Sequence, residues 1–552
     1  MTGRLSERSS LTALDRLPVY RLDRPLTSAG DLVSAATRVF DITDGFAITE
    51  GPGRLSMRRR EHVVEQHSAS GGIWAADQEH WFNPSAMPDL PGHDAAVSIA
   101  QEMGRTRGLL PELAGDFGYG EPQVAGTHLA ILDAGERTER QLDFQVVFPV
   151  RVGDLPVVGG GGDFTLALGD GGELIGYTGV WRNASDAFDA AVVPEERADA
   201  AYREMFASAK GLELRSVSSY LAYYAAPSFT EQDFLFPVYV YLGTARIGDE
   251  EVPLRAVILP ATDFGPKLEL PPPVPMRLKS AQPAERAASE KRKRCAYGTA
   301  ASAPRAPLAL AATKPWEAGT SWIGMSGGLA GSQANAKGFV DEWAADGWII
   351  DFNWGDAAAF ESDWRRNDDV WVDNADFVFY TGHANQNGWV LSNPDDGFLS
   401  FSEVGSSPSA PGDLWGSSDL EWVVIAAYGP LQDELLAKGG GDVLDRWDGA
   451  FDGMHQLLGY GAITFDNTEE GRRIASYCRS GMTIKDAWFR AAKKIQPSTN
   501  GASAPDGPTV WVGTMWAVRS GVDPIDDHAW SHGSVSADPT SPTSLACMWT
   551  VC

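Results

Sequence analysis

A chain of 552 residues exceeds what one hydrophobic core ordinarily organises, so two or three domains are expected. A formal charge of −29 excludes the cationic faces needed to bind nucleic acid or an anionic membrane nonspecifically. The 43% hydrophobic content, with 19 tryptophans, supplies sizeable cores, yet no stretch reaches the roughly 18 unbroken apolar residues of a membrane span. The opening Met1-Thr2-Gly3-Arg4-Leu5 leads into mixed polar sequence without the apolar run of a signal peptide, so a soluble, cytoplasmic protein is expected. The four cysteines, Cys295, Cys478, Cys547 and Cys552, make neither a disulfide framework nor paired zinc-ligand spacing. They read as free thiols, with a Cys547–Cys552 pair as the alternative. No cofactor and no metal are called for.

Residues 1–275 read as an α+β region of mainly antiparallel strands, possibly two modules over 1–135 and 136–275. Leu32, Ala35, Ala36 and Val39 lie at helical spacing within 29–40. Short alternating runs follow at 46–49 and 54–65, separated by glycine turns. Alternation returns over 141–152, then Leu155-Pro156-Val157-Val158 and a hairpin around Gly169-Asp170-Gly171-Gly172. A helix over 194–210 and strands over 234–244 complete the region.

A linker is expected over 276–313. It follows Pro271-Pro272-Pro273, holds the basic run Lys291-Arg292-Lys293-Arg294 and ends in Ala/Pro-rich sequence, a composition that cannot bury a core. The basic run also suits a processing or localisation signal.

From 314 to 552 strand and helix patterns alternate, which implies right-handed crossovers and a parallel sheet flanked by helices. Expected strands are 321–325, 348–352, 375–380, 422–427, 459–465 and 510–513; expected helices are 335–345, 357–365, a stretch after Pro430, one through Ser476 and one from Ile484. The last carries an apolar stripe of Ile484, Trp488, Ala491 and Ile495. His383 follows the aromatic strand Phe377-Val378-Phe379-Tyr380 directly, and Tyr428-Gly429-Pro430 closes the apolar Trp422-Val423-Val424-Ile425-Ala426-Ala427. Both side chains then fall at the carboxyl edge of one sheet, where open α/β folds bind ligands.

The stretch Phe377 to His383, an apolar strand ending in His, and the strand Val423 to Ala427 resemble the two motifs of caspase-like cysteine peptidases, the broad group containing gingipains and CHAT peptidases. The order after 460, with Ser480-Gly481-Met482-Thr483 and then Ala487-Trp488, is similar to the C-terminal half of CHAT peptidases, and the likeness spans about 320–516. It implies a caspase-like α/β fold, His383 as acid–base, backbone amides at Ala384, Tyr428 and Gly429 as oxyanion donors, and Asn385, Asp466 and Asn467 lining a substrate pocket. It also places the nucleophile at position 428, which is tyrosine here. The segment Val146 to Arg182 is similar to PepSY or propeptide-type modules, which act as intramolecular chaperones or inhibitors.

A phenol with a pKa near 10 is phenolate in on the order of one molecule in a thousand at neutral pH, so covalent peptide hydrolysis through Tyr428 is not expected. Three readings stay open. The domain is a pseudopeptidase that binds peptides or proteins; or His383 and Tyr428 act as an acid–base pair in isomerase, cyclase or lyase chemistry on a small molecule; or Cys478, on an expected helix, supplies a thiol. Packing or loop roles compete at His383 and Tyr428, helix capping competes at Asp466 and Asn467, and a calcium-binding turn competes with a plain turn at Asp395-Asp396. The N-terminal region is expected to pack on the C-terminal domain.

Overall fold

The apolar runs of the C-terminal half become strands buried on both faces, as parallel strands covered on two sides must be. The computed structural model describes residues 15–25, 27–209, 211–265, 271, 316–392, 397–404, 414–501 and 509–552. The expected linker and its basic run, Cys295 and the Asp395-Asp396 turn lie outside the described residues. Five strands pair in parallel in the order Ile349–Gly355, Glu317–Trp322, Phe377–Thr381, Trp422–Ala426 and Gln456–Tyr460. In chain order this is 2-1-3-4-5, so the direction of winding reverses between the first and third strands. The antiparallel strands Trp511–Val518 and Ser544–Val551 continue the sheet.

Alternation decides which layer each side chain joins. Phe377, Phe379, Trp422 and Val424 pack with Phe339 and Trp343 of helix Ser332–Ala345, Ile474 of helix Glu470–Arg479 and Trp488 of helix Ile484–Ile495. Val378, Tyr380, Val423 and Ile425 face the other way, onto Trp364, Trp389, Trp415 and Trp447. That second layer was expected to be helical. Among the described residues its α-helices are the short Ser362–Arg365 and Val443–Trp447, and interlocked aromatic rings replace longer ones: Phe401 and Trp447 lie 4.3 Å apart and Trp364 and Trp389 5.3 Å apart.

The fold is thus mixed α/β with large sheets, few helices and mostly antiparallel pairing. Two more strands of the C-terminal sheet come from the other half of the chain. Hairpin His128–Asp133/Glu136–Gln141 adds to its outer edge, with His128 opposite Trp549 and Asp133 opposite Ser544. A module boundary at 135/136 therefore falls inside this hairpin's turn.

The rest of residues 15–265 forms a sheet that is antiparallel except where Leu155–Val158 meets Leu212–Tyr224. Helix Ala29–Phe40 packs on it through Leu32, Ala35, Ala36 and Val39, and Ser28 caps it by accepting from the Asp31 amide. Helix Ile484–Ile495 lies between the two halves and is buried on every side. Two of its lysines reach across the boundary: Lys493 donates to Gln145 at 2.8 Å and Lys494 to Glu65 at 3.0 Å. Among the described residues no helix is long and apolar enough to cross a membrane.

Candidate functional site at the carboxyl edge of the parallel strands

His383 and Tyr428 each lie two residues beyond paired strand ends, since Thr381 is opposite Ala426. Gly429 makes the junction possible: its φ is +92°, and a Cβ there would stand 2.4 Å from the Asn385 carbonyl carbon.

The His383 ring is fully buried. Its Nε2 lies 2.7 Å from the Gly327 carbonyl oxygen and its Nδ1 3.2 Å from the Arg255 amide nitrogen. A carbonyl only accepts and an amide only donates, so this network assigns a neutral ring protonated at Nε2. Burial, opposed by the Gly327 hydrogen bond and helped by the Arg255 charge, brings the ring's pKa down to about 4. Gly327 belongs to the loop after the first strand. Asp356 holds that loop by accepting from the amides of Gly324 and Ser326 at 2.8 and 3.0 Å.

Arg255 comes from the N-terminal region, and its guanidinium fills the sheet edge. Strands Glu250–Pro253 and Val257–Pro260 both pair with Phe234–Ile247. Pro253 is opposite Thr244 and Val257 opposite Tyr241, so Leu254, Arg255 and Ala256 face only Leu242 and Gly243, a β-bulge. The extra residue swings the chain into the C-terminal half, where Ala256 donates to Thr464 at 2.8 Å and accepts from the Asp466 amide at 2.9 Å. Arg255 Nη1 donates to Thr381 Oγ1 at 2.9 Å and to the Ala426 carbonyl at 3.0 Å. Its Nη2 donates to the Phe465 carbonyl at 2.7 Å and pairs with Glu470 at 3.3 Å. Glu470 is itself fixed by the Tyr460 hydroxyl and the Gln496 amide, both at 2.7 Å, and by Asn335 at 3.0 Å.

The other expected site residues divide by role. Tyr428 is buried among Val158, Ala222, Phe236 and Val238 of the N-terminal region, and its hydroxyl donates to Gln432 at 3.0 Å. Ala384 and Asn385 open a hairpin with Gly388–Val390. Asn385 accepts from the Asn387 and Gly388 amides and donates to Glu250 and the Glu251 carbonyl, so it shapes a turn and ties it to the N-terminal region. Asn467 accepts from the Glu469 and Glu470 amides, the capping role. Asp466 accepts from the Gly331 amide at 2.7 Å, and burial raises its pKa to about 6 against the pull of Arg255. Cys478 is buried in the helical layer, Cys547 in the strand Ser544–Val551 and Cys552 just beyond that strand, each thiol pushed up by burial.

Arg255 and Glu470 were not among the residues expected from sequence. One sign was legible: Val252-Pro253-Leu254-Arg255-Ala256-Val257-Ile258-Leu259 is apolar apart from a single cation. A charge in such a run is buried only with partners.

Residues 317–551 match the family described as Domain of unknown function (DUF6345). No curated protein matches the chain. Among solved structures, an uncharacterized protein from Eubacterium rectale is similar at 8% identity, over 45% of this chain and 85% of that one, with a TM-score of 0.27.

Proposed function

We propose that the C-terminal half is a caspase-like, hydrolase-family domain that no longer cleaves peptides and serves as a peptide- or protein-binding module, covered by a propeptide-like N-terminal region. Supporting the kinship are the 2-1-3-4-5 strand order and a histidine and a tyrosine following the third and fourth strands. The observation that carries the loss of cutting is His383, whose two ring nitrogens are both engaged by backbone groups. A general acid–base needs a free nitrogen facing the substrate. Position 428 offers a phenol hydrogen-bonded to Gln432 in place of a thiol.

The test uses the full-length chain with a panel of fluorogenic peptides and an acyl-type electrophile. The expected result is no turnover and no labelling, with labelling appearing in Tyr428→Cys. A folded Tyr428→Cys chain that stays unlabelled counts against the kinship. Turnover of a non-peptide substrate that His383→Ala and Tyr428→Phe both abolish favours the acid–base alternative instead.

A further inference from the structure

Four features of the Arg255 contact separate it from ordinary interface packing. The guanidinium is fully buried, and its hydrogen-bond acceptors, Thr381, Ala426, Phe465 and Glu470, all belong to the C-terminal half, none to the region that carries the arginine. The acid that balances it is fixed by Tyr460, Gln496 and Asn335, also of the C-terminal half, so the cavity's polar lining is built without the N-terminal region. The backbone beside it makes strand-type hydrogen bonds to Thr464 and Asp466. Main-chain pairing combined with a side-chain pocket is how a peptide docks by strand addition. Finally, the fit is incomplete: Arg255 Nε is buried without a hydrogen-bond partner. A guanidinium donor left over among otherwise complete contacts marks a tethered ligand that satisfies most of its site, but not all of it.

We infer that the carboxyl-edge pocket is a guanidinium-binding site, that the bulge Leu254-Arg255-Ala256 is its intramolecular ligand, and that an arginine-bearing peptide segment is the external ligand that takes its place. The inference rests on the reading of this edge as the domain's ligand site, and it adds the chemical class and the regulation. Because the Arg255 amide also holds His383 Nδ1, one withdrawal of the bulge uncovers the pocket and the imidazole together. A lysine is a poorer occupant. The acceptors are spread over Thr381, Ala426, Phe465 and Glu470, which suits the planar fork of a guanidinium and not the compact ammonium.

The experiment is calorimetric titration of full-length Arg255→Ala with N-acetylarginine methylamide, using the lysine and citrulline analogues as controls and wild type as the occupied reference. The expected result is saturable binding of the arginine probe to the variant, on the order of tenfold or more tighter than to wild type or than either control. Adding Glu470→Gln should remove that binding. A folded Arg255→Ala chain that binds the arginine and citrulline probes equally overturns the proposal. If the variant lacks a fold, recovery of its near-UV circular dichroism with the arginine probe alone supports the proposal, and no recovery overturns it. Peptide cleavage by Arg255→Ala would sink the non-cutting reading and leave the guanidinium site standing; lost arginine binding without cleavage does the reverse.

Discussion

Two fully buried histidines lie at opposite ends of the same parallel strands, and their chemistry differs in sign. His383 follows the carboxyl end of Phe377–Thr381 and is held neutral by two backbone groups, its pKa brought down to about 4 by burial. His455 precedes the amino end of Gln456–Tyr460. Burial pushes its pKa down too, but Asp527 at 2.5 Å and Asp538 at 3.5 Å outweigh that and raise it. The surroundings follow the same division. The carboxyl end seats Arg255 against His383, while the amino end gathers Glu317, Asp376 and Asp419 with oxygens within 4.8 Å of one another. Beside them burial, reinforced by Asp376 and Asp419, drives the Glu421 carboxyl far above its usual range. Burial alone thus does not set a histidine's state here; the charge of what is buried with it does.

The comparison breaks most sharply at the cation. Glu470→Ala leaves Arg255 in the interior without its acid and should cost about 3–5 kcal/mol of stability, read as a drop in the urea midpoint. Replacing both partners with apolar residues, as in Arg255→Met with Glu470→Leu, should cost less than either single change; a fully additive loss would mean the two do not interact.

Acidification tests the two histidines against each other. For His383 the folded pKa is below the unfolded value of 6.5, so its contribution is complete above pH 6.5 and is lost as pH falls toward 4, about 3 kcal/mol in all. His455 has a raised folded pKa, so its contribution is present below 6.5 and is lost as pH rises through the folded value. His383→Gln should flatten the acid limb of stability against pH while leaving the alkaline limb as in wild type. Equal limbs in both proteins would contradict the assignment.

Smaller effects sharpen the geometry of the carboxyl end. Gly429→Ala meets both a positive φ and the Asn385 backbone, and about 1–3 kcal/mol should be lost in thermal or urea unfolding. Tyr428→Phe removes the hydrogen bond to Gln432 and keeps the ring's packing, so about 1 kcal/mol is expected. A much larger loss would point to a role for the phenol beyond that bond.

How much of this was legible depended on the distance over which each signal acts. Helix Ala29–Phe40 was readable because its cap and its buried face sit inside one segment. Strands Phe377–Thr381 and Trp422–Ala426 were readable because burial on both faces leaves an apolar run. The strand expected at 459–465 lies at Gln456–Tyr460, since the apolar residues after Gly461 serve the contact with Tyr428 and the N-terminal region instead. Ile484–Ile495 read as amphipathic because its lysines and Arg490 look solvent-directed until the strand bearing Glu65 covers them. The strand Ser544–Val551, its pairing with residues 128–133, and the seating of Arg255 on Glu470 join positions hundreds of residues apart, which no local pattern encodes.

The borrowed hairpin His128–Gln141 governs how this chain can be divided. Severing the backbone between residues 276 and 313 would yield two polypeptides still laced together through Ser544–Val551, migrating as one species until denatured. A fragment of 314–552 produced alone would instead present that apolar strand bare, with Leu545, Cys547 and Trp549 beside unpaired amides and carbonyls, and such an open border recruits other copies.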